Sequence, residues 1–359
     1  MDVSTLKSYY HRLRGRSRRR IVVIGDVHGC LDGLCRVLRM TELIDERQRW
    51  RAGSDVQLVL CGDMVDEGAA SCGVVKLVQS LQREAGANVT ALMGNHELLL
   101  LRTLADEDAE LQWETAWSWA DENPVLKRFL TEEAIPRLTT SQIRRSFQDS
   151  YISSGSVEYP SDYVAKCEAI NQRTTLTAIR LLRAALERDG TLAWLEALPV
   201  AKRIGGWGFF HGGPPCGFSG GIDELNEAFS TLLRRREWNH PLLVPHVRLE
   251  SPISTRGWMN QGEAAVDRLL ASFGLTRVAF GHSPGAIDGV FGRLSHCWGK
   301  VFKADTYFSL GIEGCLEILD DSVWAFYTPE SRQIYAQLHP QRASLPELEM
   351  LWPSASELR

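Results

Sequence analysis

Six residues of this chain could do chemistry together: Asp26, His28, Asp63, Asn95, His211 and His282. They offer two carboxylates, three imidazoles and one amide oxygen. Carboxylate and imidazole in one set suit zinc, iron or manganese better than calcium or magnesium. The set holds more donors than a single tetrahedral ion needs. It suits two ions roughly 3.5–4 Å apart, sharing a bridging carboxylate and a bridging water. Two such ions acidify the water and bind phosphoryl oxygens, a design for in-line hydrolysis of a phosphate ester. Any one of these residues alone says little. A His after a strand is commonly structural, and an Asp after Gly at a strand end is commonly a turn residue. The argument rests on the set.

The elements that must position the set can be read from the same stretches. Ile21-Val22-Val23-Ile24 runs into Gly25-Asp26-Val27-His28-Gly29. Val56 to Cys61 runs into Gly62-Asp63-Met64-Val65-Asp66, and Val89 to Met93 into Gly94-Asn95-His96-Glu97. Trp207 to Phe210 leads to His211-Gly212-Gly213, and Arg277 to Phe280 to Gly281-His282-Ser283-Pro284. Short apolar runs of this kind read as buried strands, and the glycines allow a sharp turn at their ends. Helical patterns follow the first three, over Leu31 to Met40, Cys72 to Glu84 and Leu98 to Ala105. Strands alternating with helices argue an α/β layered domain, with ligands beyond the carboxyl ends of the strands.

The remaining segments are less regular. Residues 98–200 are charged and helical in pattern, with Trp113, Trp117 and Trp119 near the start and a strong helical run from Leu176 to Arg188. They read as an inserted helical subdomain beside the site. Val301 to Ala304, Cys315 to Leu319 and Val323 to Tyr327 read as strands of a second sheet. Residues 1–20 carry seven basic side chains against Asp2 and read as a solvated basic arm. The domain is expected over residues 21–340, and 341–359, with Pro346 and Pro353, as a loosely attached tail.

Composition narrows the class. The chain has 359 residues, 44% hydrophobic and 24% charged, which is ordinary for a globular protein. The net charge of −5 argues against a nucleic-acid binder. No apolar stretch reaches the roughly 18 residues of a membrane helix. The eight cysteines form no Cys-x-x-Cys pair and read as core thiols in a reducing compartment, which points to the cytoplasm. Oligomeric state leaves no mark in the sequence.

Taken in order, these five glycine-flanked motifs resemble those of the calcineurin-like metallophosphoesterases. The likeness is to the phosphoprotein phosphatase branch, and within it to the bacterial-type, Shewanella-like protein phosphatases. It spans residues 21 to about 320. The resemblance implies a four-layer fold, a two-sheet β-sandwich flanked by helices, with the site at the sheet ends. It implies two divalent ions (Mn, Fe or Zn), with Asp26 and His28 on the first, Asp63 bridging, and Asn95, His211 and His282 on the second. His96 would protonate the leaving group, with Asp66 orienting its imidazole. Arg256, in Ser254-Thr255-Arg256-Gly257-Trp258, resembles the family's phosphate-binding arginine, and Asn95 also faces the phosphate.

One residue departs from the pattern. The family's second motif continues Asp-Arg-Gly; here it reads Asp66-Glu67-Gly68. A carboxylate turned into the site would oppose a phosphate dianion by on the order of 4 kcal/mol at 4 Å. Glu67 could swing outward, pair with an arginine or help bind a different substrate, and Arg102 or the Arg144-Arg145 pair could replace the missing cation. The leading expectation is a metal-dependent phosphoprotein phosphatase acting on Ser, Thr or Tyr phosphate by attack of a hydroxide held on the ions. The alternatives are hydrolysis of a dinucleoside polyphosphate and a metal-binding regulatory pseudophosphatase.

Overall fold

Strand β1 (Arg20–Ile24) is apolar on both faces, and both are buried. Ile21 and Val23 enter one core, Val22 and Ile24 another. Strand β2 (Val56–Leu60) divides the same way, Val59 to the first core and Leu58 and Leu60 to the second. Such strands are covered by a sheet on one face and by helices on the other. The computed structural model describes residues 3–17, 19–105, 118–120, 123–133, 177–245, 248–342 and 344–353. It has the two-sheet sandwich between helices that the resemblance implied.

In the first sheet, β1 and β2 run parallel with β3 (Val89–Ala91), in the order β1-β2-β3. Helix α2 (Leu31–Met40) follows β1 and α3 (Ser71–Ala85) links β2 to β3. Helix α4 (Asn95–Ala105) follows β3 and begins three residues earlier than the apolar pattern suggested. The second sheet contains β4 (Ala201–Ile204), β5 (Trp207–Phe210), β6 (Arg277–Phe280), β7 (Ser295–Cys297) and β8 (Val301–Lys303), ordered β4-β5-β6-β8-β7. Between the sheets Ile21, Val23 and Val59 meet Phe209, Ala279 and Phe302.

The C-terminal strands correct the sequence reading. Only β8 lies in the second sheet. Strands β9 (Gly314–Leu319) and β10 (Ser322–Tyr327) return to the first, where β9 pairs antiparallel with β1. The register Ile21↔Ile318 and Val23↔Leu316 keeps apolar residues facing the inter-sheet core, which favours that placement. The tail is also better attached than expected: β11 (Leu348–Trp352) pairs with β10 as the edge strand.

The basic arm, expected to be solvated, contains helix α1 (Val3–Arg14). Leu6, Tyr9, Tyr10 and Leu13 form an apolar stripe among its cations, and it packs on Trp324 and Phe326 of β10. The Tyr10 hydroxyl donates to Glu317 Oε2 at 2.6 Å, and the buried Glu317 also pairs with Arg20. Of the expected insertion, helices at Pro124–Glu133, 177–188 and Thr191–Glu196 are described, and Trp119 is buried. Trp113, Trp117 and the Arg144-Arg145 pair lie outside the described residues. Among the described residues no helix is long and apolar enough to cross a membrane.

Candidate metal centre

Five strand ends converge on one point. Asp26 and His28 follow β1, Asp63 follows β2, and Asn95 and His96 open α4 after β3. His211 and His282 follow β5 and β6 of the other sheet. The sheets touch at Gly25, where a Cβ would lie 2.5 Å from Asp305 Cα. Gly281 is equally confined, since a Cβ there would stand 2.3 Å from Asp26 Oδ1. Only glycine fits at Gly25, where the clash is with backbone, and a Cβ at Gly281 would displace the Asp26 carboxylate.

Backbone amides lock these turns to one another. Val27 N and His28 N both donate to Asp63 O at 2.9 Å. His96 N donates to Asp63 Oδ1 at 2.9 Å. His282 N donates to Asp26 Oδ1 at 2.8 Å, which ties the two sheets together. His28, Asp63, Asp66, Glu67 and His282 have φ between +47° and +67°. Left-handed backbone at non-glycine residues costs about 1–3 kcal/mol each and persists where its surroundings over-determine it.

The donor atoms form two sets with one member in common. Asp26, His28 and Asp63 make one, and Asp63, His211 and His282 the other, with the ligand atoms of each set within 4.8 Å of one another. Asp63 Oδ2 is central, 3.9 Å from His28 Nε2 and 3.3 Å from His211 Nε2. The other ring nitrogens are committed. His28 Nδ1–H donates to Val65 O at 3.1 Å and His211 Nδ1–H to Cys61 O at 2.7 Å. Those bonds leave each Nε2 to face the centre. Asn95 Oδ1 lies 2.9 Å from His211 Nε2.

Charge and burial together call for a cation. Burial pushes the Asp26 carboxyl well above its ordinary range, helped by the nearby charges of Asp305 and Asp63. Burial also acts to raise Asp63, but the imidazoles of His211 and His96 outweigh it and hold Asp63 well below. His282 is pushed down to about 2 by burial, and then by His211 and Arg256, so its imidazole is neutral. Its Nε2 is buried, with no hydrogen-bond partner among the described residues. A buried lone pair beside buried carboxylates is costly until a cation joins them. The residues present therefore fit a pair of metal ions.

Next to the donors, His96 Nδ1 bonds Asp66 Oδ2 at 2.9 Å while His96 Nε2 stands 3.9 Å from Asp63 Oδ2. Arg256 is exposed, and its charge lies close enough to act on His282. Its loop is clipped to the His211 turn by the Gly212 N to Pro252 O bond of 2.9 Å. Arg102 is half-buried in α4, and among the described residues no ion pair joins it to the site. Glu67 faces inward, with Oε1 3.9 Å from His28 Nε2.

Two residues were missed by sequence reasoning. Glu97 is buried, and its carboxylate accepts from the amides of Asp63, Met64 and Gly94 at 2.6–2.9 Å. It stands beside the noticed His96, but its role as an amide clamp is invisible in a sequence. Asp305 is a buried carboxylate just beyond β8, near Asp26. An acid at a sixth strand end, after Val301 to Ala304, was the signal available.

Comparison with known proteins now decides the family. Residues 19–286 match the calcineurin-like phosphoesterase family. The chain belongs to the calcineurin-like phosphoesterases. Members of this family use a dimetal centre. Among its relatives, Shewanella-like protein phosphatase 1 of Plasmodium berghei is 37% identical over 98 residues, 26% of this chain and 27% of that protein. A symmetrical bis(5'-nucleosyl)-tetraphosphatase of Salmonella arizonae is 39% identical over 83 residues, 23% of this chain and 25% of that protein. The matched stretch thus spans about a quarter of each relative's length. The crystal structure of a cold-active protein-tyrosine phosphatase from a psychrophilic Shewanella superposes with a TM-score of 0.56 at 17% identity, covering 93% of this calcineurin-like phosphoesterase and 80% of that chain. It shares the fold.

Proposed function

We propose that this protein is a dimetal phosphatase that removes phosphate from Ser, Thr or Tyr side chains of proteins. The observation that carries the reading is the pair of donor sets sharing Asp63, with the His96–Asp66 pair beside them. Asp26 and His28 would hold the first ion, Asp63 would bridge, and Asn95, His211 and His282 would hold the second. Manganese, iron and zinc all suit these donors. When bound, the ions supply an acidified water and positive charge against the phosphoryl oxygens.

The chain's own groups do the rest. Asp66 holds His96 through Nδ1, so the Nε2 proton is the one available to a departing oxygen. Burial acts to lower the His96 pKa, but Asp63, Asp66 and Glu67 raise it to about 10. The imidazole is thereby charged at neutral pH, although a divalent ion on Asp63 cancels part of that field. Arg256 brings a guanidinium fork close to His282, a geometry suited to phosphate oxygens.

The inward Glu67 favours a second reading, hydrolysis of a dinucleoside polyphosphate, because its charge opposes a monoester dianion. The relatives named above include enzymes of both kinds. The test is hydrolysis of an aryl phosphate by protein stripped of metal and resupplied with Mn2+, with Asp63→Asn as control. Metal-dependent turnover abolished by Asp63→Asn supports a dimetal phosphatase, and phosphopeptides against diadenosine polyphosphates then divide the two readings. Tight metal binding without turnover of any of these substrates would sink both.

A further inference from the structure

Glu67 sits in a turn that cannot easily swing away. A Cβ at the next residue, Gly68, would lie 2.1 Å from His28 O, and Ala70 N donates to Gly29 O at 3.0 Å. The Glu67 turn is therefore packed directly on the His28–Gly29 turn. The Glu67 backbone is left-handed, with φ +55°, and its side chain is half-buried. Among the described residues no lysine or arginine lies within ion-pair distance of it; its neighbours are imidazoles.

His28, Glu67 and His96 form a third set whose ligand atoms lie within 4.8 Å of one another. His28, which also belongs to the Asp26–His28–Asp63 set, links this cluster to the first position. Glu67 Oε1 and His28 Nε2 are 3.9 Å apart. Two donors each about 2.1 Å from one ion stand at most about 4.2 Å apart, so one ion can reach both if they lie on nearly opposite sides of it. The Asp63 Oδ2 to His28 Nε2 separation is also 3.9 Å.

We propose that Glu67 is a direct ligand of the first ion, beside Asp26, His28 and Asp63. This rests on the dimetal reading above. Ligation changes the meaning of the substitution, because a carboxylate bound to an ion is no longer a free charge set against phosphate. A third carboxylate also makes this position richer in hard oxygen donors, which favours Mn2+ over Zn2+ there.

The test is Mn2+ binding to apoprotein, followed by electron paramagnetic resonance of free Mn2+, for wild type, Glu67→Gln and Glu67→Asp. Apoprotein melting temperatures check that each variant folds. Wild type is expected to bind two ions. Both variants should keep one site and weaken the other by about 10-fold or more, since Asp retains the charge but not the reach. The Mn2+ over Zn2+ preference of the weakened site should fall as well. Two ions bound by Glu67→Gln with wild-type affinity would overturn ligation alone. Weakening by Gln with full retention by Asp would mean that the charge acts through space, and would also overturn it. Fewer than two ions on wild type would overturn the dimetal reading itself.

Discussion

His96 has two nitrogens with different duties, and the difference can be measured. Nδ1 is spent on Asp66, and on the proposed reading Nε2 would protonate a leaving oxygen. His96→Asn is expected to lower kcat on a phosphoserine peptide by about 10²–10⁴-fold. The loss should be much smaller on an aryl phosphate, whose leaving group needs no proton. Equal losses on both substrates would remove His96 from the role of acid. Glu97 belongs to the backbone instead. Glu97→Ala would strand several buried amides and should lower stability by at least about 3 kcal/mol in urea unfolding. At this scale the sequence was informative where chemistry sets residue type. The donors Asp26, His28, Asp63, Asn95, His211 and His282 stand out by type and place. Glu97 and Asp305 did not, because an amide clamp and a cross-sheet neighbour exist only after folding.

Strands and turns carry a different set of constraints. The first three strands and their helices were legible because apolar runs ended in glycine. The destination of β9 and β10 was not, since a strand apolar on both faces fits either sheet until register is known. Helix α1 was hidden because its stripe of Leu6, Tyr9, Tyr10 and Leu13 is interleaved with cations and runs into the basic run after Arg14. The loop after β6 is pinned by a buried cation, Lys303 of β8. Its Nζ donates to Pro284 O and Val290 O and lies 3.9 Å from Asp288. Burial lowers its pKa to about 8, against the opposing pull of Asp288 and Asp305 and with a further push from Arg293. The unfolded chain keeps that proton to about 10.5, so stability rises with pH between about 8 and 10.5 and the cost is fully present below 8. The stability of wild type minus that of Lys303→Met should increase by about 2 kcal/mol from pH 7.5 to pH 10. A difference that is flat across this range would show that Lys303 titrates normally.

For the whole molecule, the centre is a joint between sheets. Asp26, Asp63 and Asn95 come from the first sheet and His211 and His282 from the second. An ion shared by Asp63, His211 and His282 therefore binds the native arrangement and nothing like it in the unfolded chain. At 100 times its Kd, an ion adds about 2.7 kcal/mol per site. Chelation should lower the Tm by several degrees in wild type. In Asp63→Asn, which already lacks the bridge, it should lower the Tm far less. Equal shifts in the two proteins would mean that the centre does not hold the sheets.

The order of the donors along the chain gives that joint a history. Asp26, His28, Asp63 and Glu67 precede β3, while His211 and His282 come more than a hundred residues after it. Along the chain, the donors of the first position come together early, while the second still lacks His211 and His282. β1 meanwhile lacks its partner β9, which arrives later still. On the dimetal reading, the donors of the first position are thus complete well before those of the second, which wait for the turns after β5 and β6.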